Sequence, residues 1–316
     1  MKIALPGLAL AAAILTSFTA TAGSWQQGVA AGGFDNVHIY TPDNRSPIGD
    51  GQALLVLLHG CVQPIDAYLT ANLEEAAEEF GMVLAVPEAM HKAGYGCWSY
   101  WEGERTRTAG DYGKLVQLAT GLAADRERDI DPAQVYIAGL SSGASFAHTT
   151  ACLAPDVFAG VGASAGPSIG TSAAGALGPC ENADVAARCL SYAGSHAPHF
   201  ASQVASFAHG AQDSTVNSCY AGQNARGMAR VYGVEKLRGT STISEGSGTA
   251  EESRWDDGRI TTLTLDGVDH AWSGGSRASG KYISDAGINY ARYLGRFFAA
   301  SNHRVAGHSQ TQPDTN

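Results

Sequence analysis

The chain has 316 residues, of which 44% are hydrophobic and 16% are charged. This is enough for one large domain with a substantial core. The formal net charge of −10, without a cluster of Lys and Arg, argues against nucleic acid or another polyanion as a partner. Beyond the N-terminus, no segment of the sequence is apolar for long enough to cross a bilayer, so no membrane partner is expected.

Residues 1–22 have the pattern of a secretory signal peptide. A basic start leads into an apolar stretch that ends near Phe18, and Ala20-Thr21-Ala22 supplies the small-x-small pattern of a cleavage site. The apolar stretch is short and contains Pro and Gly, which makes an uncleaved membrane anchor the weaker interpretation. We therefore predict a secreted protein, extracellular or periplasmic, whose mature chain begins at Gly23.

Short apolar runs alternate with segments of helical periodicity along the mature chain. Predicted strands cover 37–40, 53–58, 82–86, 134–138, 158–163, 204–208 and 260–265, and predicted helices cover 65–80, 111–128 (capped by Asp111), 144–153 and 285–300. This order predicts an α/β fold with a mostly parallel sheet and helices on both faces. We expect one domain over 23–300, with an irregular insertion or lid at 164–200 and a polar, disordered tail at 301–316.

Residues 139–143 read Gly-Leu-Ser-Ser-Gly, which matches the G-x-S-x-G nucleophile elbow. With 39 glycines in the chain the pattern can arise by accident, as an ordinary Gly/Ser turn. Here a predicted strand precedes it and a predicted helix follows it, which is the context that an elbow requires. The motif therefore predicts Ser141 as a nucleophile raised above the sheet.

A serine nucleophile needs a base and an orienting acid, which follow the serine along the chain in this type of fold. His270 lies in a loop after the strand at 260–265, at the edge of the sheet where Ser141 is expected, and is the best base among ten histidines. Asp213 lies just beyond the strand at 204–208 and is the predicted acid. Asp269 is its rival, but it directly precedes the histidine that it would have to orient.

The oxyanion of such a reaction needs preorganised N–H donors. One is expected to be the amide of Ser142, directly after the nucleophile. The other is expected to be the amide of Cys61, in the loop that follows the strand at 53–58. The alternative is that His59 and Gly60 form only a turn.

Six cysteines in a secreted chain predict up to three disulfides. We pair Cys61 with Cys97 first, because their loops are expected to meet at the same edge of the sheet. A short local loop suggests Cys180 with Cys189, which leaves Cys152 with Cys219. The sequence contains no C-x-x-C or H-E-x-x-H spacing, so no metal site is expected.

Residues 57–63, 96–101, 139–143 and 269–275 together resemble one known family. They look like the corresponding motifs of the secreted short-chain polyhydroxyalkanoate depolymerases, the poly(3-hydroxybutyrate) depolymerase group of esterases. The resemblance extends over most of 50–298, and the order of the motifs resembles the type 1 catalytic domain. It implies an α/β-hydrolase fold and the same nucleophile, acid, base and oxyanion donor as the residues indicate.

The resemblance also implies a substrate and its binding residues. Trp98 and Trp272 would line the crevice that holds an aliphatic polyester chain, although both could equally be core residues. The implied activity is hydrolysis of poly(3-hydroxybutyrate) or its oligomers through an acyl-enzyme on Ser141, without metal or organic cofactor. Many bacterial members carry a separate polymer-binding domain that this sequence does not show, which makes soluble oligomers an alternative substrate.

Three other functions remain open. Related esterases release feruloyl or acetyl groups from plant polysaccharide with the same triad, and a poly(aspartic acid) hydrolase is also conceivable. The acidic charge of this chain disfavours a polyanionic substrate. A non-catalytic, hydrolase-like binding protein is the third possibility, which the presence of all three triad candidates disfavours.

Overall fold

The computed structural model describes residues 23–234, 237–255 and 258–305. The predicted signal peptide and residues 306–316 of the predicted tail lie outside the described residues. The strands are β1 Ser24–Ala31, β2 Phe34–Thr41, β3 Gln52–Leu58, β4 Met82–Pro87, β5 Lys92–Ala93, β6 Cys97–Trp98, β7 Ile130–Leu140, β8 Gly160–Ser164, β9 Val204–Gly210, β10 Leu237–Glu245, β11 Gly248–Trp255, β12 Ile260–Leu265, β13 Trp272–Ser273 and β14 Ile283–Ser284. The helices are α1 Leu73–Phe80, α2 Gly110–Ala124, α3 Ser142–Leu153, α4 Ala173–Ala176, α5 Val185–Ala193, α6 Cys219–Tyr232 and α7 Tyr290–Ser301.

Within the described residues, ten strands form one sheet in the order β1-β2-β4-β3-β7-β8-β9-β12-β11-β10. The central strands, from β4 to β12 in this order, run parallel to one another. The outer strands on both sides pair antiparallel. Because the central strands are parallel, their carboxyl ends and the loops that follow them meet at one edge of the sheet, where ligands bind in open α/β sheets.

Helices cover both faces of the sheet, and each face has its own hydrophobic core. The core on one face includes residues of α2, α3, α5 and α6. The core on the other face includes residues of α1 and α7. Strand β3 is buried along its whole length, because neighbouring residues such as Leu54 and Leu55 point into opposite cores. The predicted α/β architecture is therefore confirmed.

Several local predictions were wrong. The helix expected over 65–80 is divided into a 3₁₀ helix, Ile65–Thr70, and α1, with Asn72 at a φ of 55° between them. Asp111 does not cap α2, because it lies in the first turn of the helix and its carboxylate accepts hydrogen bonds from the amides of Met90 and His91. The segment expected to be an irregular insertion contains α4 and α5.

Helix α6 and the hairpin β10–β11 were not predicted. Gly227 lowers the helix propensity of α6. A Cβ atom at this position would lie 2.4 Å from the Cβ of Val185, so the glycine permits close packing of α5 and α6. The hairpin has a two-residue turn at Gly246-Ser247 between alternating residues, a signal that the sequence carried. The domain also continues beyond residue 300, where Asn302 is buried and its side chain donates to the carbonyl of Ala133 at 2.8 Å.

All six cysteines form disulfides, which are typical of proteins that fold in an oxidising compartment. The pair Cys61–Cys97 is as predicted. The other two predicted pairs were wrong, since Cys152 bonds Cys189 and Cys180 bonds Cys219. Within the described residues, no helix has the length and apolar character needed to span a membrane.

Candidate active site

Ser141 occupies a sharp turn between β7 and α3. Its backbone has a φ of 56° and a ψ of −118°, which is strained for a residue with a side chain. A Cβ atom at Gly139 would lie 2.5 Å from the backbone of Gly143, and one at Gly143 would lie 2.4 Å from the carbonyl oxygen of His59. Both glycines of the G-x-S-x-G motif are therefore needed for the close approach of strand, turn and helix.

The structure brings Ser141, His270 and Asp213 into one hydrogen-bonded chain. The Oγ of Ser141 lies 3.0 Å from Nε2 of His270, and Nδ1 of His270 lies 2.8 Å from Oδ2 of Asp213. Asp269, the rival acid, is exposed. The serine comes from the end of β7, the acid from the loop after β9 and the histidine from the loop after β12, so the carboxyl ends of three parallel strands supply the three groups.

The Asp213 carboxylate is buried and held in a fixed orientation. Its Oδ1 accepts hydrogen bonds from the amides of Thr215 and Val216 at 2.8 and 3.0 Å. Burial alone would raise the pKa of Asp213, but the hydrogen bond with His270 and those from the two amides outweigh it and keep the pKa below its ordinary value. Asp213 is thus ionised at neutral pH and can orient the imidazole of His270.

His209 lies beneath this loop, as its Nε2 is 2.9 Å from the carbonyl of Val216 and 3.3 Å from Oδ2 of Asp213. Burial lowers the pKa of His209, which keeps its ring neutral at pH 7. Because its ring is neutral, His209 can support the loop without forming an ion pair with Asp213. The carboxylate therefore stays available to His270.

The two predicted oxyanion donors lie beside the nucleophile, since Cys61 and Ser142 both line the cavity that contains Ser141. Ser142 begins α3, and the first amides of a helix have no intrahelical acceptor. Cys61 lies in the turn after β3, and its disulfide with Cys97 fastens this turn to β6. The assignment of these amides as oxyanion donors stays a prediction.

The cavity has a volume of about 360 Å³ and is mainly apolar. Its described lining contains no Asp, Glu, Lys or Arg. Besides Ser141 and His270, the lining includes Pro167 before α4, Ala176 at the end of α4 and Leu177 directly after it. Such a site suits an uncharged substrate with apolar groups.

An exposed apolar rim surrounds this cavity. Among the described residues, six large apolar side chains are exposed, and four of them line the cavity: Val62, Tyr95, Leu177 and Tyr282. Tyr95 is 84% exposed and Leu177 is 71% exposed. Val62, Tyr95 and Tyr282 also have positive φ angles of 49°, 61° and 56°, so strained backbone presents three of these side chains to solvent.

The prediction that Trp98 and Trp272 line the crevice was wrong. Both side chains are 0% exposed, and neither belongs to the lining of the cavity. Trp98 packs against Phe146 and Trp272 against Tyr290, on opposite faces of the sheet. They are core residues, and only the backbone amide of Trp98 approaches the site, where it donates to Oγ of Ser142 at 3.3 Å.

The aromatic residues that do line the cavity are Tyr95, Tyr100, Trp101 and Tyr282, and none of them was predicted as a binding residue. One signal was present, because Tyr95 stands between two glycines, which is typical of an exposed turn. Within the described residues, no cluster of three His, Cys, Asp or Glu is arranged to hold a metal ion.

The parallel sheet, the strained serine and the order of serine, acid and histidine are those of an α/β-hydrolase. An acetyl xylan esterase from Aspergillus awamori has a similar fold, with a TM-score of 0.63 and 20% identity over 78% of this chain and 94% of that one. The chain belongs to the family described as Esterase PHB depolymerase, whose profile matches residues 40–253.

Two curated relatives are depolymerases by name. The chain is 34% identical to the poly(3-hydroxybutyrate) depolymerase of Ralstonia pickettii over 94% of its own length and 66% of that protein. It is 26% identical to the poly(3-hydroxyalkanoate) depolymerase C of Paucimonas lemoignei over 78% of its own length and 63% of that protein. The chain therefore spans slightly less than two thirds of the length of these relatives.

Proposed function

We propose that this protein is a secreted serine esterase that hydrolyses poly(3-hydroxybutyrate), another short-chain polyhydroxyalkanoate or their oligomers. The observation that carries the proposal is the chain of hydrogen bonds from Ser141 through His270 to Asp213 at the wall of an apolar, uncharged cavity. The names of the two relatives support the substrate class.

In the first half of the reaction, Ser141 Oγ attacks the ester carbonyl while Nε2 of His270 takes its proton. The negative charge on the carbonyl oxygen is met by the amides of Cys61 and Ser142. Asp213 stabilises the imidazolium that forms and keeps the proton on Nδ1. The imidazolium then protonates the leaving alkoxide, and the acyl group remains on Ser141.

In the second half, a water molecule attacks the acyl-enzyme with His270 as general base. The tetrahedral intermediate uses the same two amides, and its collapse returns the proton to Ser141 Oγ. The products are a carboxylate and an alcohol. Every proton in this cycle passes through Nε2 of His270, so the reaction requires no group beyond the chain and water.

The rim of the cavity supports a substrate that is poorly soluble in water. Large exposed apolar side chains around a site favour contact with apolar material, and a polyester chain offers methyl groups and ester dipoles but no charge. The exposed side chains of Tyr95 and Leu177 would contact such a chain before its ester reaches Ser141. The absence of cationic residues from the described lining disfavours poly(aspartic acid).

The three disulfides and the signal-like N-terminus support secretion of the protein. An acetyl or feruloyl esterase acting on plant polysaccharide is the second candidate function. The likeness to the acetyl xylan esterase favours it only at the level of the fold, because the identity is 20%.

The proposal is tested by clearing of a poly(3-hydroxybutyrate) suspension, with p-nitrophenyl butyrate, acetylated xylan and a feruloyl ester in parallel. We expect the wild-type protein to clear the suspension and to hydrolyse the butyrate, and Ser141→Ala to do neither. Asp213→Asn should lower kcat by about 10³–10⁴-fold, because the imidazole loses its orienting anion. Asp269→Asn is the matched control and should leave kcat within about two-fold, because that carboxylate is exposed.

Hydrolysis of the butyrate without clearing of the suspension would support the assignment as a serine esterase and indicate that its substrates are oligomers. Release of acetate or ferulate at a higher kcat/KM than butyrate would favour the polysaccharide esterase. Activity that survives in folded Ser141→Ala would contradict the catalytic assignment as a whole.

A further inference from the structure

The turn after β3 holds the peptide group that carries the Cys61 amide. Because a peptide unit is planar, the Cys61 N–H points opposite to the carbonyl of Gly60. That carbonyl oxygen lies 2.7 Å from Nδ1 of His59. Whatever fixes Gly60 therefore also fixes the direction of the Cys61 N–H.

The hydrogen bond between His59 and Gly60 has a defined direction. The amide of Ala89 donates to Nε2 of His59 at 3.2 Å, so Nε2 is the acceptor and Nδ1 carries the proton. Burial lowers the pKa of His59, which keeps the ring neutral and in this tautomer at pH 7. His59 thus donates a hydrogen bond to the Gly60 carbonyl.

Gln63 also holds Gly60, through the backbone amide of that residue. Its Oε1 accepts a hydrogen bond from the amide of Gly60 at 2.8 Å, and its side chain is buried. Its Nε2 donates to the carbonyls of Lys281 and Tyr282 at 3.0 and 3.3 Å. One side chain thus satisfies polar groups in two loops that are 218 residues apart in sequence.

The second of these loops is connected to the catalytic histidine. The amide of Trp272, two residues after His270, donates to the carbonyl of Tyr282 at 2.9 Å. Gln63 contacts the same carbonyl. The side chain of Gln63 is therefore a bridge between the loop that carries Cys61 and the segment that carries His270, and it is not among the residues that line the cavity.

We propose that Gln63 is a positioning residue that, by holding the backbone of Gly60, sets the Cys61 amide relative to Ser141 and His270, together with the contact of His59 to the Gly60 carbonyl. This proposal rests on the proposed esterase function. The amide of Cys61 stabilises charge that develops in the transition state, so its displacement raises the barrier of the chemical step and leaves binding of the neutral ester almost unchanged. Gln63 then acts on kcat and not on KM.

The test compares Gln63→Leu, which loses all three hydrogen bonds, with Gln63→Glu, which keeps an acceptor for the Gly60 amide and loses the two donated bonds. We expect both variants to lower kcat for p-nitrophenyl butyrate by about 10- to 100-fold, less than the 10²–10³-fold loss that follows complete removal of an oxyanion donor. KM should stay within about three-fold. The affinity for butylboronic acid, whose serine adduct resembles the tetrahedral intermediate, should fall by the same factor as kcat/KM.

Gln203 supplies a matched control. It is buried before β9, its Nε2 donates to the carbonyls of Ala151 and Phe158 at 3.1 and 2.9 Å, and its Oε1 accepts from the hydroxyl of Tyr232. Gln203→Glu and Gln203→Leu lose the same kinds of bond at the opposite edge of the sheet. They should lower the melting temperature but leave kcat and the boronic acid affinity at the wild-type values.

Folding is followed by circular dichroism, and all assays are made well below the lowest melting temperature. If Gln63→Leu does not fold, Gln63→Glu carries the comparison, because it keeps the bond that closes the turn. A folded Gln63 variant with kcat within two-fold of wild type, or with its whole loss in KM, would overturn the proposal. An inactive wild-type protein would instead contradict the proposed function.

Discussion

The two sides of the cavity are built differently. The oxyanion side consists of residues 59–63 and 94–98, and these two segments are joined by the Cys61–Cys97 disulfide and by the amide of Val62, which donates to the carbonyl of Tyr95 at 2.8 Å. The lid side, residues 167–181, is fastened mainly to α6, through the Cys180–Cys219 disulfide and Tyr220. The hydroxyl of Tyr220 donates to the carbonyl of Gly175 and accepts from the amide of Glu181.

This difference indicates a division of labour in the proposed reaction. The oxyanion side has to hold an amide against a developing charge, where small displacements are costly. The lid side provides apolar surface such as Leu177, which contacts substrate without taking part in bond formation. We therefore expect changes on the oxyanion side to appear in kcat and changes on the lid side to appear in KM.

The largest contrast should come from the two disulfides. Replacing Cys61 and Cys97 together by Ser releases the oxyanion turn and should lower kcat by about 100-fold. Replacing Cys180 and Cys219 together by Ser should raise KM by about three- to ten-fold with kcat nearly unchanged. Each change should cost about 2–4 kcal/mol of stability, so kinetics are measured well below the melting temperatures. Equal effects of both pairs on kcat would contradict the division.

Acid pH should destabilise the protein through a buried histidine in α3, the helix that follows the nucleophile. This limits the pH range in which the kinetics of the two sides of the cavity can be compared. Burial lowers the pKa of His148 in α3 from 6.5 to about 3. The unfolded chain therefore binds a proton at this site below pH 6.5 that the folded protein does not, and stability falls as pH falls toward 3. This group should cost about 2 kcal/mol between pH 6.5 and 5.

The measurement is the free energy of unfolding in urea at several pH values for wild type and His148→Phe. The variant should show a flatter pH dependence, whatever its absolute stability. Identical slopes for the two proteins would exclude His148 as a source of acid instability.

His59→Phe should lower kcat by about 10-fold, because the ring volume is kept while the donor to the Gly60 carbonyl is lost. KM should stay near the wild-type value. Combined with Gln63→Leu in a double-mutant cycle, the two changes should be less than additive, since both release the backbone of the same residue, Gly60. Full additivity would indicate that the two residues act on different parts of the site.

The smallest effect is expected for Tyr220→Phe on the lid side. Loss of the hydroxyl removes the link between Gly175 and Glu181 and should cost about 1–2 kcal/mol of stability. KM for p-nitrophenyl butyrate should rise by about three-fold with kcat unchanged. A lower kcat with an unchanged KM would place the lid side in the chemical step and contradict the comparison.

The sequence was most informative where chemistry depends on local spacing. The G-x-S-x-G motif around Ser141 can be recognised because two glycines at fixed positions in the sequence permit one sharp turn. Asp213 and His270 could be placed because each follows a recognisable strand of a parallel sheet, and the carboxyl ends of such strands share one edge. The structure brings these three side chains together at 2.8 and 3.0 Å.

The sequence was least informative about the orientation of single side chains. Trp98 and Tyr95 lie three residues apart, yet Trp98 is 0% exposed and Tyr95 is 84% exposed. The positive φ of Tyr95 turns its ring outward, and β6 turns Trp98 into the core. Aromatic content alone could not distinguish them, because exposure depends on the path of the backbone.

The sequence by itself therefore determined the fold class, the order of the catalytic elements and the disulfide Cys61–Cys97, because these follow from hydrophobic periodicity and from loops at one edge of the sheet. The tertiary structure decided the other two disulfides, the apolar rim and the contacts of Gln63. These depend on contacts between segments far apart in the chain, such as the bond from Gln63 to Lys281. Periodicity and motif spacing describe neighbours along the chain, whereas these contacts are set by how the layers pack.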